Sequence, residues 1–222
     1  MRRLSVALLF VVAASLFAAS PLRAQDESAT LLAKLAAADP DLRTYRADIA
    51  FDVGLRSFPF LRKTLHGNAY FKRPSRMELV FSDLPSYARG FTNLYVGLGT
   101  PSEWEKKFVI SSAVERNGDG RAITYLVLTP RKPDRRLREV DVFVDPAASL
   151  PARIVWRYRD GWIELRQRFA VVDGHDLVVA QDTDIRLPAV HAYVNSRISN
   201  YALNIDVEDA VFTKRPDVPG PQ

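Results

Sequence analysis

The 222-residue chain contains no cysteine, which excludes both a disulfide framework and the lipidation box that follows a lipoprotein signal. Histidine is almost as scarce. The three present, His66, His175 and His191, are scattered, and none has the spacing of a metal-binding pair. There is no Gly-x-Ser-x-Gly elbow, no phosphate loop and no zinc signature, so the sequence offers no catalytic residue, no metal site and no cofactor site. Internal repeats and low-complexity tracts are also missing. Nor is there an apolar run of the ~20 residues needed to cross a bilayer.

What is present begins with Arg2 and Arg3, the apolar run Leu4 to Ala19, and Pro21-Leu22-Arg23-Ala24 leading to Gln25. Charged, apolar and small-residue zones in that order form a secretory signal, so cleavage near Ala24 and a periplasmic product are expected. The run is too short for the alternative, a retained membrane anchor. The arginine pair is also compatible with the export route for folded proteins. Removing residues 1–24 takes away three arginines and no acid, leaving 28 basic against 26 acidic residues. So balanced a chain lacks the concentrated cationic footprint of a nucleic-acid binder. The remaining residues, 25–222, suffice for one domain that buries roughly 70% of its unfolded surface. A soluble monomer that folds on packing alone is expected.

The hydrophobic period changes along the chain. Leu31, Leu32 and Leu35 with Ala29, Ala36 and Ala38 predict a helix over 28–38, with Ser28 as its cap and Asp39-Pro40 as its stop. From Tyr45 to Val53 the period falls to two, with Tyr45, Ala47, Ile49, Phe51 and Val53 on one face. Strands are likewise predicted for Thr64 to Arg73, ended by Pro74, and for Met77 to Phe81. Leu84, Tyr87, Phe91, Leu94 and Leu98 recur at helical spacing, so Asp83 to Leu98 reads as an amphipathic, lid-like helix. Thr100-Pro101-Ser102-Glu103 has the form of a capping box opening a short helix.

After Lys107 the pattern is a meander. Strands at Phe108–Glu115 and Arg121–Thr129 flank the hairpin signal Asn117-Gly118-Asp119-Gly120. Further strands run from Glu139, Ala152, Ile163, Leu177 and Ala192, each with one oily and one charged face, and turns at Asp160-Gly161 and Asp173-Gly174 separate them. Residues 215–222 form a proline-rich tail. The fold class expected is mainly β: nine or ten antiparallel strands in one large curved sheet, an unclosed half-barrel whose concave face is covered by helices, all placed before residue 110.

Several charged groups were weighed as sites. Asp182 and Asp184 share a strand face and read as solvated surface rather than a carboxylate pair. Arg153, Arg157, Arg159, Arg166 and Arg168 form a ladder that suits either anionic headgroups or an acidic partner. The preferred reading is an outer sheet face paired with Glu139, Asp141, Asp145 and Glu164. His175, in Gly174-His175-Asp176, reads as a turn residue, and His66 and His191 as surface or lid contacts.

Read in order, Leu42-Arg43-Thr44-Tyr45-Arg46-Ala47-Asp48, Gly67 to Pro74, Val127-Leu128-Thr129-Pro130 and the strands Arg138–Asp145 and Ala152–Tyr158 resemble the LolA family of periplasmic lipoprotein carriers. The segment Lys72-Arg73-Pro74-Ser75-Arg76-Met77-Glu78-Leu79 carries the most specific part of the likeness, and Asn204-Ile205-Asp206 to Phe212 resembles the wider superfamily of LolB and RseB-type sensors. The resemblance implies a half-barrel that shelters acyl chains under helices, with Arg73 holding the lid through hydrogen bonds to a helix. An arginine at a strand end that simply reaches water is the plainer reading of the same residue. Met77 stands where the family pattern has an aromatic that influences cargo release, and Phe81 to Lys107 departs from the family segment.

The expected function is therefore a periplasmic carrier of lipoprotein acyl chains or phospholipid toward the outer membrane. Its implied partners are an inner-membrane exporter and an outer-membrane acceptor. Candidate cavity or lid residues are Tyr45, Ile49, Phe51, Phe71, Arg73, Met77, Leu79, Phe91 and Leu94. The alternatives are an RseB-type regulatory domain contacting a membrane-bound signalling partner and, third, a hydrolase in the same oily cavity.

Overall fold

The computed structural model describes residues 21–58, 60–81, 98–116, 118–132, 134 and 136–213, with backbone alone for 21–26. The first half of its sheet comprises β1 (Thr44–Leu55), β2 (Arg62–Lys72), β3 (Arg76–Phe81), β4 (Phe108–Arg116) and β5 (Ala122–Pro130). The second half comprises β6 (Leu137–Val144), β7 (Pro151–Tyr158), β8 (Gly161–Val172), β9 (His175–Leu187) and β10 (Val190–Leu203). Among the described residues there are three helices: α1 (Pro21–Ala37), α2 (Pro101–Lys107) and α3 (Ala210–Thr213).

All ten strands belong to one antiparallel sheet in the order β3-β2-β1-β10-β9-β8-β7-β6-β5-β4. Most neighbours are consecutive in the chain. The exception is β1 on β10, in register from Tyr45 against Leu203 to Leu55 against Ala192. The sheet does not close, and its two edges, β3 and β4, follow one another in sequence. The chain between Phe81 and Phe108 must therefore run from one edge of the half-barrel to the other. The expected lid helix lies on that crossing, and apart from Leu98 it falls outside the described residues, as does the 215–222 tail.

Period-two alternation places the core. Ala47, Ile49, Phe51 and Val53 of β1 point inward with Leu65 and Ala69 of β2 and Val194 and Ile198 of β10. Across the sheet they meet Leu126 and Leu128, Val140 and Val142, and Ile163 and Leu165 in one continuous cluster. Helix α1 packs on β4, β5 and α2, buries Leu35, and is tied down where Thr124 Oγ1 donates to Glu27 Oε1 at 2.8 Å. Between β8 and β9, Asp173 (φ 50°) and Gly174 (φ 85°) make the expected two-residue turn, whose left-handed backbone matches the twist of the strands.

Four expectations at element ends are corrected. Helix α1 starts at Pro21, so Ser28 is a buried residue within the helix and not its cap. Thr100 is the N-cap of α2 by its extended backbone, but its hydroxyl sits 3.0 Å from Ser102 Oγ and makes no capping bond. The N3 amide, on Glu103, donates instead to the Thr100 carbonyl at 2.9 Å, which satisfies the donor a capping hydroxyl would otherwise serve. Not every helix precedes residue 110: α3 forms near the C-terminus, where Asp209 bridges Lys72 (2.7 Å) and Arg76 (2.8 Å). Finally, the outer face of β6 is not wet, because Asp141 and Phe143 are as buried as the valines beside them.

Gly67 illustrates how tightly the β2–β3 pair is built. A Cβ there would sit 2.3 Å from the Val80 carbonyl oxygen and 2.8 Å from the Phe81 ring. Gly67→Ala is expected to cost about 1–3 kcal/mol in a denaturant titration. Gly118→Ala, where nothing lies within 4 Å, should stay within about 0.5 kcal/mol of wild type.

Candidate functional site

One end of the half-barrel carries an apolar cavity of about 300 Å³. Its floor is sheet: Tyr45, Phe71, Met77, Ile154, Trp156 and Tyr201. Leu35, Ala38 and Leu42, from α1 and the turn after it, form one wall, and Leu98 and Trp104, from the edge-to-edge crossing, form another. The polar side chains among its lining include Gln167 and Gln181.

Aromatic packing sets the shape of the floor. Tyr45 stacks on Phe71 with ring centroids 5.3 Å apart and meets Tyr201 edge-on at 5.3 Å. The Tyr201 hydroxyl donates to the Val178 carbonyl at 2.6 Å. Burial pushes the Tyr45 phenol up to about 12 and moves that of Tyr201 in the same direction. Both stay neutral at physiological pH. Trp104 is buried and donates its indole N–H to the Gly99 carbonyl at 3.3 Å.

At the rim, Arg73 joins three parts of the chain. Its Nε donates to the Leu42 carbonyl at 2.6 Å, and its Nη2 donates to the carbonyls of Ala38, at 2.9 Å, and Asp39. Those carbonyls follow directly on the last turn of α1, where backbone acceptors lack helical partners, and a planar guanidinium can serve several at once. Arg73 thus holds the turn that follows α1, and it precedes a cis peptide to Pro74. Asp39 is held a second way: its carboxylate oxygens lie 2.7 and 2.8 Å from His175 Nδ1. His175 is thus no turn residue. It opens β9 and ties the β8–β9 hairpin to the α1–β1 turn, a role without local signal because its partner is 136 residues away.

Of the nine candidate residues, Tyr45, Phe71, Arg73 and Met77 come together on this cavity. Ile49, Phe51 and Leu79 do not line it; they lie in the packed core, Phe51 against Phe81 at 5.0 Å. Phe91 and Leu94 fall outside the described residues. Trp104 follows the capping box that opens the short helix and Trp156 lies in the strand from Ala152, yet no sequence pattern brings them to one cavity. Leu42 and Tyr201 were missed as lining for the same reason.

Four arginines of the ladder lie on the outer face and are paired. Arg157 meets Asp141 at 2.6 Å, Arg153 meets Glu115 at 2.9 Å, Arg166 meets Glu164 at 2.8 Å and Arg168 meets Asp182 at 3.5 Å. Asp145 is not a partner: it accepts from the amides of Ala147 and Ala148 and shapes the β6–β7 turn. The Arg153 guanidinium lies 3.6 Å above the Phe143 ring, which itself stacks on Tyr125. Among the described residues no group of three or more His, Cys, Asp or Glu side chains is placed to hold a metal ion.

No family model matches the sequence, and no curated protein is similar to it. Solved structures are similar in shape. A domain described as an outer-membrane lipoprotein-sorting protein from Vibrio parahaemolyticus superposes with a TM-score of 0.63 at 11% identity, over 88% of this chain and 98% of that one. A DUF1329 family protein from Desulfovibrio piger gives 0.59 at 13% identity, over 85% and 97%. A LolA superfamily protein from Nitrosomonas europaea gives 0.54 at 12% identity, over 84% and 97%. The fold is LolA-like.

Two predictions follow from these contacts. Arg73→Leu strands the carbonyls of Ala38, Asp39 and Leu42 and should cost about 2 kcal/mol. Arg73→Lys should restore only part of that loss, with the change in amide exchange centred on residues 35–42. Burial, opposed by the Arg157 hydrogen bond, holds the Asp141 carboxyl above its ordinary 3.8. The folded state therefore binds this proton more readily than the unfolded chain. Asp141 thus favours folding most below pH 3.8, and the advantage fades as pH rises through the folded value. The stability of wild type relative to Asp141→Asn should shift in favour of wild type as pH falls from neutral to acid.

Proposed function

We propose that the chain is exported, loses residues 1–24 and acts in the periplasm as a carrier that shelters the acyl chains of lipoproteins or other lipids on their way to the outer membrane. The observation that carries this reading is the cavity itself: an apolar, aromatic-floored space of about 300 Å³ at one end of an unclosed half-barrel. That volume is at the lower end of the range for small-molecule sites. It suits a stretch of one hydrocarbon chain rather than a whole lipid. Each methylene removed from water contributes about 0.8 kcal/mol, and the neutral phenols of Tyr45 and Tyr201 impose no charge on such a guest.

In this reading Arg73 is the latch. Its partners lie in the turn that forms one wall, so releasing them widens the cavity, while the crossing that carries Trp104 forms the opposite wall. Binding and release make and break no covalent bond. An exporter at the inner membrane and an acceptor at the outer membrane are the partners implied.

Native mass spectrometry of protein purified without detergent tests the proposal directly, with a second measurement after delipidation and exposure to phospholipid. Retained lipid in either preparation is the expected result, and its absence from both overturns the carrier reading. Met77→Trp, which fills the cavity from its floor, should lower lipid retention about tenfold without lowering the thermal midpoint.

A further inference from the structure

We infer that the end of the half-barrel remote from the cavity docks on an anionic lipid bilayer, with the β1–β2 connection as its apolar tip. The antiparallel register defines the two ends. The cavity is lined by the Arg73-Pro74 corner, the start of β9 and the end of β10, so the β1–β2 connection lies at the other end. There Phe58, Phe60 and Leu61 are 51%, 79% and 50% exposed. Connections of this kind ordinarily consist of glycine, asparagine, aspartate and serine, and three large apolar side chains in water call for a partner.

The tip is held in shape. Phe58 N donates to Leu55 O at 3.3 Å, Leu61 N to Phe58 O at 2.9 Å, and Arg56 N to His191 O at 2.8 Å, which anchors the connection to β10. The Phe58 and Phe60 rings meet edge-on at 6.0 Å. The backbone thus presents the rings outward instead of folding them back onto the sheet.

Charge identifies the partner. Segment 56–63 has three cations and no acid, and segment 131–138, a connection at the same end, has five cations and one acid. At the cavity end, the acids of segments 173–176 and 204–209 are set against the cations Lys72, Arg73 and Arg76 of the β2–β3 corner, and Lys72 and Arg76 pair with Asp209. The two tip-end segments together have eight cations and one acid, an excess that the near balance of the whole chain conceals. Arg56 and Arg62 pair with Asp184 and Asp52 at 3.1 Å each, yet both guanidinium side chains remain about half exposed and face solvent. A convex apolar apex within a cationic collar matches the acyl boundary and anionic headgroups of a bilayer, where aromatic side chains settle. Docked this way, the protein leaves its cavity end free for exchange of cargo.

A Phe60→Trp variant of the full chain reports on the tip alone, measured as the difference from wild type, whose three tryptophans are unchanged. Its emission should shift to the blue with vesicles of phosphatidylethanolamine and phosphatidylglycerol, and not with phosphatidylcholine alone, and added salt should reverse the shift. Sedimentation with the anionic vesicles should fall about tenfold or more in Phe58→Ser/Phe60→Ser at an unchanged thermal midpoint. An unshifted emission overturns the inference even if the chain sediments, because binding then runs through another segment. Equal sedimentation of a folded double variant also overturns it. So does tip-dependent capture of an envelope protein without vesicle binding, which would assign the tip to a protein partner.

Discussion

Without the ladder between Thr44–Leu55 and Val190–Leu203, the chain would be two separate antiparallel meanders, each with an uncovered apolar face. Joining the first strand to the last makes one ten-stranded sheet and leaves β3 and β4 as its edges. The connection between those edges then has no route except from one side of the sheet to the other. Leu98 and Trp104, buried on that route, and Leu35 of α1 complete the cover that a curved sheet needs over its apolar face. Leu35, Leu98 and Trp104 of this cover border the cavity at one end of the sheet.

At that end the local chemistry divides cleanly. The floor is aromatic and neutral, and the rim is held by charge. Arg73 and His175 act on opposite sides of the same short turn, one on its carbonyls and the other on the Asp39 carboxylate, whose backbone has a left-handed φ of 50°. A turn clamped from two directions can be rigid without packing into the core. That arrangement suits a wall which must stand beside an empty space, where core packing is not available to fix it.

The outer surface is organised differently on either side of the sheet. On β4 to β8, arginines pair with carboxylates and cover Phe143, which gives this face a second, thin layer of packing outside the core. At the β1–β2 connection the apolar side chains have no such cover. Phe143 sits on a strand beneath Arg153 and is buried, whereas Phe60 lies in a connection beyond the strand ends and is exposed, so an arginine nearby hides an aromatic only where a strand holds both.

The sequence by itself determined the antiparallel strands, most of the faces they bury and the β2–β3 corner at Lys72-Arg73-Pro74, because alternation and turn chemistry are local and need no knowledge of distant residues; the buried outer face of β6 was beyond it. It also brought Tyr45 and Phe71 forward through their apolar strand faces on β1 and β2, and Arg73 and Met77, at the β2–β3 corner and on β3, through the family resemblance. Tertiary structure alone decided that Ile49, Phe51 and Leu79 pack solidly while Trp104, Trp156 and Tyr201 border open space, since residues with the same inward pattern differ only in where along the curved sheet they fall. The pairing of Asp39 with His175 was equally out of reach. A contact across 136 residues depends on how the sheet bends to bring two of its corners together, and no periodicity records that bend.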